Sequence, residues 1–207
     1  MDSECKSKKN SRRKRKLICG VGINDADYQV KPLVNGVRLI CPFYSTWVRM
    51  LERCYSSKFH KTRPTYIGCS VSSEWLIFSQ FKAWMEKQDF NGKQLDKDLL
   101  VANNRIYGPD YCLFVTARIN TMLNNNAASR GDYAIGVDFH NGNKKFRSRY
   151  RTVTKHITIG YFNTEQEAHQ AYLKYKKQVI TEVALEQDDI RLKDALLRIA
   201  DTYEIQI

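Results

Sequence analysis

The hydrophobic pattern of this 207-residue chain changes its period near Tyr133, and this change constrains the fold more than any other feature. Before it, apolar residues recur every three or four positions, which is the spacing of an amphipathic helix. After it, apolar and polar residues alternate, which predicts three short strands. These strands are expected at 134–140, 145–152 and 156–162. Asn141-Gly142 favours a hairpin between the first two, so an α+β protein with a small antiparallel sheet is predicted.

Helical patterns follow the predicted sheet. Thr164 and Glu167 form a capping box that opens a helix. The apolar face of that helix contains Ala168, Ala171, Tyr172, Tyr175 and Val179. A last helix is expected at about 188–203, and its apolar side can pack on the same domain or on a second copy of the chain.

Two further helices are predicted before the sheet. Their apolar stripes include Trp47 in the first and Trp75 in the second, which begins at Ser73. Residues 95–123 read as strand, loop, strand and helix, with Thr116 as the N-cap of the helix. The predicted parts of the chain are a disordered basic arm 1–16, a domain 17–125, a linker 126–132, a sheet domain 133–182 and a C-terminal helix 183–207.

The charge balance indicates a polyanionic partner. The formal net charge is +12, and residues 6–16 contain eight Lys or Arg and no acidic residue. Nucleic acid and an anionic membrane both fit this charge. However, no apolar run reaches the roughly 20 residues of a membrane span, and the N-terminus lacks the layout of a signal peptide. We therefore expect a cytoplasmic protein that binds nucleic acid and no membrane, with an arm that holds phosphates without sequence preference.

Six cysteines are scattered along the chain without a C-x-x-C pair. Reduced thiols of a cytosolic protein are one interpretation. A zinc site formed by Cys54, Cys69 and Cys112 is the other.

Residues 44 to 125 carry a series of motifs in a fixed order. They are Tyr44-x-x-Trp47-x-x-Met50-x-x-Arg53-Cys54-Tyr55, Glu74-Trp75 with Phe78 and Phe81, Leu95-Asp96, Asn104, Tyr107-Gly108-Pro109-Asp110-Tyr111-Cys112, and a helix with Asn120 and Asn124. This series resembles a phage and prophage family of HNH (ββα-metal) nucleases. The resemblance implies a degenerate ββα core that uses one divalent metal ion, Mg²⁺ or Mn²⁺, to cleave a phosphodiester.

Carried over position by position, the resemblance assigns four site residues. Asp96 and Asn120 fall at the metal ligands, and Asn104 falls at the asparagine that ties the loop. Lys97 falls at the catalytic base, where the family usually has histidine. A lysine is ordinarily protonated at neutral pH and cannot accept a proton.

Two interpretations of Lys97 follow. In one, Lys97 grips phosphate while His60 or metal-bound water acts as the base. In the other, the site holds DNA without cutting it. Spacing alone also allows Asp96 and Asp98 to be turn carboxylates and Asn120 to be a polar residue of the helix.

The predicted sheet is strongly basic. Residues 144–155 contain six Lys or Arg and no acidic residue. Strand alternation puts three arginines on one face, namely Arg147, Arg149 and Arg151. The other face carries Phe146, Ser148 and Tyr150. A guanidinium face of this kind suits phosphates and the edges of guanine bases.

Residues 136–175 resemble the APETALA/ethylene-response-factor DNA-binding domain of plants. The resemblance rests on Gly136-Val137, Lys145-Phe146-Arg147-Ser148-Arg149-Tyr150-Arg151, Ile157-Thr158-Ile159-Gly160-Tyr161-Phe162, Thr164, Glu167-Ala168 and Ala171-Tyr172. It implies a three-stranded sheet that lies in the major groove of duplex DNA, with a helix packed behind the sheet.

The DNA-binding residues predicted from this resemblance and from the basic hairpin are His140, Lys144, Lys145, Arg147, Arg149, Arg151, His156 and Thr158. Asp138 also falls at a DNA-facing position. Asp138 and Thr158 stand where the family has Arg and Trp, so the family's target sequence cannot be carried over.

The combination of the two resemblances is similar to free-standing phage homing endonucleases. It predicts a protein of the bacterial host's cytoplasm that binds double-stranded DNA and, if it is active, nicks or cleaves that DNA with one divalent ion. The alternative is a nuclease-dead DNA-binding regulator, or an inhibitor that binds a host protein. RNA binding, based on charge and aromatic residues alone, is a third interpretation.

Overall fold

Residues 16–123 and 132–203 are described by the computed structural model. The predicted basic arm, except for Lys16, and the predicted linker, except for Asp132, lie outside these ranges. The chain divides into two units by its contacts. Unit 1 contains the residues up to Gln88 together with Arg105–Pro109, and unit 2 contains Asp89–Asn104 together with the residues from Asp110 onward.

The described residues have an α+β architecture, as predicted. The helices are α1 Pro42–Tyr55, α2 Ser57–Thr62, α3 Phe78–Met85, α4 Ala117–Leu123, α5 Glu165–Leu185 and α6 Ile190–Asp201. The strands are β1 Leu33–Val34, β2 Val37–Arg38, β3 Ser70–Val71, β4 Gln94–Asp96, β5 Ile106–Tyr107, β6 Leu113–Val115, β7 Val137–His140, β8 Lys145–Arg151 and β9 His156–Phe162. None of the helices in the described ranges is long and apolar enough to span a membrane.

Aromatic residues form the core of unit 1. Helix α1 begins with Pro42. The first N–H groups of a helix have no acceptor within the helix, so the N–H that proline lacks is not needed there. Trp47 of α1 is fully buried and donates its Nε1–H to the backbone oxygen of Trp75 at 2.7 Å. Its ring also contacts the rings of Tyr44 and Phe78. The predicted apolar stripe of α1 is therefore core.

The predicted second helix, beginning at Ser73, is interrupted. A short 3₁₀ turn covers Ser73–Leu76, Ile77 is extended, and α3 begins only at Phe78. At the interruption the Ile23 N–H donates to the oxygen of Leu76, and the Phe78 N–H donates to the oxygen of Ile23. The backbone around Ile77 thus pairs with residue 23, and the helical periodicity of the sequence could not reveal that pairing.

Unit 2 begins with the predicted order of strand, loop, strand and helix. Strands β4 and β6 are antiparallel, with Asp96 opposite Leu113 and Gln94 opposite Val115. The hydroxyl of Thr116 accepts a hydrogen bond from the Ile119 N–H at 3.3 Å, so the predicted N-cap of α4 is confirmed. Residues 106–107 inside the predicted loop instead belong to unit 1, where β5 pairs in parallel with β3.

The three predicted strands of the basic segment form an antiparallel sheet in the order β7-β8-β9. The predicted hairpin is present, with residues 141–144 between its strands and Lys144 in the left-handed region at φ 49°. The capping box of Thr164 and Glu167 is also present at the start of α5. Behind the sheet, Ser148 and Tyr150 are buried, and the Tyr150 ring contacts the rings of Tyr172 and Tyr175 on α5.

Gly136 fixes the approach between the sheet and α5. Its φ is +81°, a conformation that L side chains rarely adopt. A Cβ at this position would lie 2.2 Å from an atom of the Tyr172 ring. The position before β7 therefore requires glycine for both its backbone angle and its lack of a side chain.

One apolar core joins the hairpin of β4 and β6 to the helices of unit 2. Its members come from the hairpin region (Leu99, Leu113, Val115), from α4 (Ile119, Met122), from α5 (Ile180, Val183, Ala184) and from α6 (Leu192, Ala195, Leu196, Ala200). The predicted boundary at 126–132 thus runs through a single unit. The predicted boundary at 182/183 falls inside α5, which continues to Leu185.

Candidate functional site

The loop at residues 96–104, hereafter the Lys97 loop, holds a lysine inside the protein. Lys97 is 6 % exposed. Its Nζ donates to the backbone oxygen of Asn104 at 2.9 Å and forms an ion pair with Asp98. The Asp98 side chain is 59 % exposed, so the ammonium is buried while its counter-charge faces solvent.

Asn104 closes the same loop from the other side. Its Nδ2 donates to the backbone oxygen of Lys97 at 2.7 Å, so residues 97 and 104 are joined by two reciprocal hydrogen bonds. The sequence predicted that Asn104 ties the loop, and the geometry is of that kind. The two contacts join the side chain of each residue to the backbone oxygen of the other.

Asp96 acts as the acceptor of a turn. Its Oδ1 accepts hydrogen bonds from the N–H groups of Asp98 and Leu99, both at 2.9 Å. Burial raises the pKa of Asp96, and the hydrogen bonds from Leu99 and Asp98 offset this only in part. This is the arrangement expected of a turn carboxylate, which the sequence allowed as the alternative to a metal ligand.

Asn120 is bonded to a different residue of β4. Its Nδ2 donates to Oε1 of Gln94 at 2.5 Å. Gln94 and Asp96 are two residues apart and share a strand face, which separates them by roughly 6.6 Å along the strand. The amide of Asn120 therefore lies on the same face as Asp96 but is bonded to a residue two positions away along the strand.

A divalent cation at the predicted site would need side-chain oxygens from Asp96 and Asn120. Mg²⁺ takes oxygen ligands at about 2.1 Å in near-octahedral geometry. Asp96 uses Oδ1 in the turn and Asn120 uses Nδ2 for Gln94, so the oxygens for a cation would be Oδ2 of Asp96 and Oδ1 of Asn120. The buried ammonium of Lys97 follows Asp96 in the chain, and its positive charge would repel a metal cation there. Within residues 16–123 and 132–203, no group of three or more His, Cys, Asp or Glu is placed to hold a metal ion. Cys54, Cys69 and Cys112, the residues of the zinc interpretation, are described by the structure and form no such group.

His60, the alternative base, lies in unit 1, whereas the Lys97 loop belongs to unit 2. Its Nε2 is 2.8 Å from the backbone oxygen of Arg53. A carbonyl can only accept, so Nε2 carries the proton of this hydrogen bond. His60 therefore stabilises the end of α1.

The outer face of the sheet carries the predicted DNA-binding residues. The residues of this arginine face are Asp138, His140, Arg147, Arg149, Arg151, His156 and Thr158. The register places Arg149 opposite Thr158 and Arg151 opposite His156. Arg151, His156 and Thr158 are exposed, and the side chains of Arg147 and Arg149 are 22 % and 38 % exposed. The predicted alternation along β8 is thus present.

Asp138 sits opposite Arg147 and binds two arginines at once. Arg147 donates Nη2–H to Oδ2 at 2.7 Å and Nε–H to Oδ1 at 3.3 Å. The Nε of Arg149 lies 2.6 Å from Oδ1. Partial burial alone would raise the pKa of Asp138, but the hydrogen bond from Arg147 and the charges of both guanidiniums outweigh it and lower the pKa. The sequence predicted Asp138 on this face but not its ion pairs. The register of the predicted hairpin could have indicated them, because it places Asp138 opposite Arg147.

The hairpin end of the sheet is ordered by His140. Its Nδ1 accepts a hydrogen bond from the Asn143 N–H at 3.1 Å, and its ring lies 5.3 Å from the ring of Tyr161. Lys144 and Lys145, the two lysines of the hairpin, are exposed. Tyr161 stands opposite Arg147 in the register and was not among the predicted residues.

A cleft of about 400 Å³ adjoins the other end of the sheet. Its wall includes Arg151, Tyr175 of α5 and Arg118 of α4. Arg118 is bound to Glu186 through two hydrogen bonds of 2.6 and 3.3 Å. Its charge is thereby countered, and Glu182 also lines the wall. The cleft is therefore less basic than the arginine face.

Comparisons of the chain with protein-family models, with curated proteins and with solved structures found no match.

Proposed function

We propose that this protein binds double-stranded DNA through the arginine face, and that the Lys97 loop supports the fold without cleaving the DNA. The observation that carries the proposal is the division of β8 into two faces. Ser148 and Tyr150 pack against α5, while Arg147, Arg149 and Arg151 lie together on the opposite side. The net charge of +12 favours a polyanion as the ligand.

The dimensions of the sheet suit the major groove. Adjacent strands lie about 4.8 Å apart, so three strands span roughly 10 Å between their outer backbones. The major groove is about 12 Å wide and admits a β-ribbon. Strands β8 and β9 have 7 residues each, which makes each roughly 23 Å long. All three arginines of β8 can therefore contact the same major groove.

The state of Lys97 disfavours a catalytic role for the loop. A general base must be deprotonated and within reach of water on the substrate. Lys97 is buried, bonded to the Asn104 oxygen and paired with Asp98. A metal-dependent nuclease remains the alternative function. Asp96 belongs to β4, and Asn120 is bonded to Gln94, which lies on the same face of that strand. A host-protein partner and a bacterial cytoplasmic location stay predictions.

The binding test uses a 30-base-pair duplex in magnesium-free buffer, with affinity measured by fluorescence anisotropy over a range of salt. We expect replacement of Arg147, Arg149 and Arg151 by Gln to lower affinity on the order of 100-fold and to reduce the salt slope by about three. The matched control replaces Lys58, Lys61 and Lys87, three exposed lysines of unit 1, by Gln. The proposal fails if both triple variants bind alike, or if duplex RNA competes as well as duplex DNA.

The cleavage test incubates supercoiled plasmid with the protein and Mg²⁺ or Mn²⁺. We expect no nicked or linear product above the buffer control. Nicking by the wild type that Asp96→Ala abolishes would establish the nuclease alternative. The two tests are independent, because binding is measured without metal.

A further inference from the structure

Asp138 is the one acidic residue among the seven residues of the arginine face defined above. It touches the two arginines at the centre of the arginine face, at 2.7 and 3.3 Å for Arg147 and 2.6 Å for Arg149. The Asp138 side chain is 28 % exposed. If the face only held phosphates, an acidic group here would weaken the binding, because it repels phosphate and forms ion pairs with two of the arginines.

The geometry of the ion pairs shows which edge of each guanidinium is used. Arg147 is bound through Nε and Nη2, which is its side-on edge. Arg149 is also bound through Nε. These contacts with Asp138 do not use Nη1 of either guanidinium, although the Arg147 side chain also hydrogen-bonds to Tyr161 on β9. An arginine held in this way presents two parallel N–H groups in a fixed orientation.

We infer that Asp138 is a positioning residue for sequence recognition, which directs Arg147 and Arg149 to base edges instead of phosphates; this inference rests on the proposed DNA-binding function. A fixed pair of parallel N–H donors matches a base edge with two adjacent acceptors. In the major groove that edge belongs to guanine, through O6 and N7. The substrate class is therefore duplex DNA with guanine at the positions facing residues 147 and 149.

Asp138 also sets the balance between selective and unselective binding. The carboxylate cancels one of the two positive charges beside it, so the trio contributes less to phosphate attraction than two unpaired arginines would. The orientation of the guanidiniums is fixed before DNA arrives, so less side-chain entropy is lost on binding. Both effects raise the ratio of specific to non-specific affinity.

The test selects bound sequences from a library of random duplexes, using the full-length wild type, Asp138→Asn and Asp194→Asn. Asp194 is exposed on α6, and its substitution makes the same change in net charge. We expect the wild type and Asp194→Asn to select the same guanine-containing sequence. Asp138→Asn should lose the preference at the guanine positions, bind unselected duplex at least about threefold more tightly, and show a salt slope larger by about one.

A second variant guards against misfolding of Asp138→Asn. Replacing both Arg147 and Arg149 by Lys keeps the charge but removes the planar fork, so the preference for guanine over the other bases should fall, and this preference is the quantity compared with the wild type. Thermal unfolding verifies that each variant is folded.

The outcomes separate this inference from the proposed function. No duplex binding by the wild type would overturn both. Binding by the wild type without any sequence preference, or an unchanged selected sequence in Asp138→Asn or in the double lysine variant, would overturn the role of Asp138 alone.

Discussion

The Lys97 loop and the arginine face both hold basic side chains beside an aspartate, but they use them for opposite purposes. In the loop, the cation is buried and its partner Asp98 faces solvent. On the sheet, the partner Asp138 lies between the arginines, and Arg151 is exposed. In the first arrangement, the charged group makes its hydrogen bond and its ion pair within the loop. The second keeps it at a surface that a ligand can reach.

Asp96, which precedes Lys97 in the loop, and Asp138 on the sheet have pKa values displaced in opposite directions. Burial raises the pKa of Asp96 in the loop. On the sheet, the paired guanidiniums overcome the effect of partial burial and lower the pKa of Asp138. A basic residue near an aspartate in the sequence therefore does not by itself indicate a binding surface; the depth of the cation decides. The predictions below test this division, beginning with the largest expected effect.

Gly136→Ala should break the sheet region most severely. The new Cβ would meet the Tyr172 ring at 2.2 Å in a left-handed backbone. We expect a loss of roughly 2–5 kcal/mol in the free energy of unfolding, combining backbone strain and overpacking. The matched control is Gly92→Ala, with φ +69° and nothing within 4 Å of its Cβ, which should cost roughly 1–2 kcal/mol. Urea denaturation measures both, and equal losses would contradict the proposed contact with Tyr172.

Lys97→Met tests whether the buried cation serves the fold. The change leaves the Asn104 oxygen and Asp98 without their donor, so we expect a loss of about 1–3 kcal/mol in the free energy of unfolding and unchanged DNA affinity. The control is Lys93→Met, because Lys93 pairs with the 77 %-exposed Asp89, and a surface pair contributes less than about 1 kcal/mol. A fall in DNA affinity for the folded Lys97 variant would move this residue to the binding surface.

Asp96 offers a comparison of two substitutions. Asp96→Ala removes the acceptor of two backbone N–H groups and should cost about 1–2 kcal/mol. Asp96→Asn keeps an amide oxygen at that position and should cost less than about 0.5 kcal/mol at neutral pH. Equal losses in urea denaturation would show that the turn does not depend on this oxygen.

The pH dependence of Asp96→Asn and Asp138→Asn should have opposite signs. The folded pKa of Asp96 is raised, so the native state holds its proton above the ordinary value near 3.9, and the wild type loses stability relative to Asp96→Asn as the pH rises through that window. The folded pKa of Asp138 is lowered. The advantage of the wild type over Asp138→Asn is therefore present above about 3.9 and lost as the pH falls toward the folded value. Denaturation at several pH values measures both differences.

Arg151→Gln should have the smallest effect on the fold. Arg151 is exposed, so the free energy of unfolding should change by less than about 0.5 kcal/mol. DNA affinity should fall by roughly fivefold, the equivalent of about 1 kcal/mol. Lys174→Gln, at an exposed position of α5, is the control and should leave affinity almost unchanged. A large loss in the free energy of unfolding for Arg151→Gln would show that Arg151 supports the fold, as Lys97 does, and would contradict the contrast between the two regions.

The sequence predicted the elements that depend on local signals. The alternation along β8, the cap at Thr116 and the capping box at Thr164 each follow from residues close together in the chain. The interruption at Ile77 and the pairing of β5 with β3 depend on residues far apart in the sequence. Periodicity contains no information on such partners, so both were missed.

The candidate site divides in the same way. The face of the arginines could be predicted, because a strand alternates by two. The burial of Lys97 could not, because its partners Asp98 and Asn104 become an ion pair and a carbonyl acceptor only when the loop closes. The bond of Asn120 to Gln94 depends likewise on the packing of α4 against β4.

Helix α5 has a consequence for how this chain can be divided. Its first turns contact the sheet through Ala168 and Tyr172, and its last turns carry Ile180 and Val183 into the core with the hairpin and α6. A fragment starting at residue 132 would keep the sheet but uncover the apolar end of its supporting helix, and such a surface promotes aggregation. The sheet and its supporting helix therefore cannot be excised at the segment where the sequence pattern changes. A fragment that keeps the apolar end of α5 covered has to include β4, β6 and α6 as well.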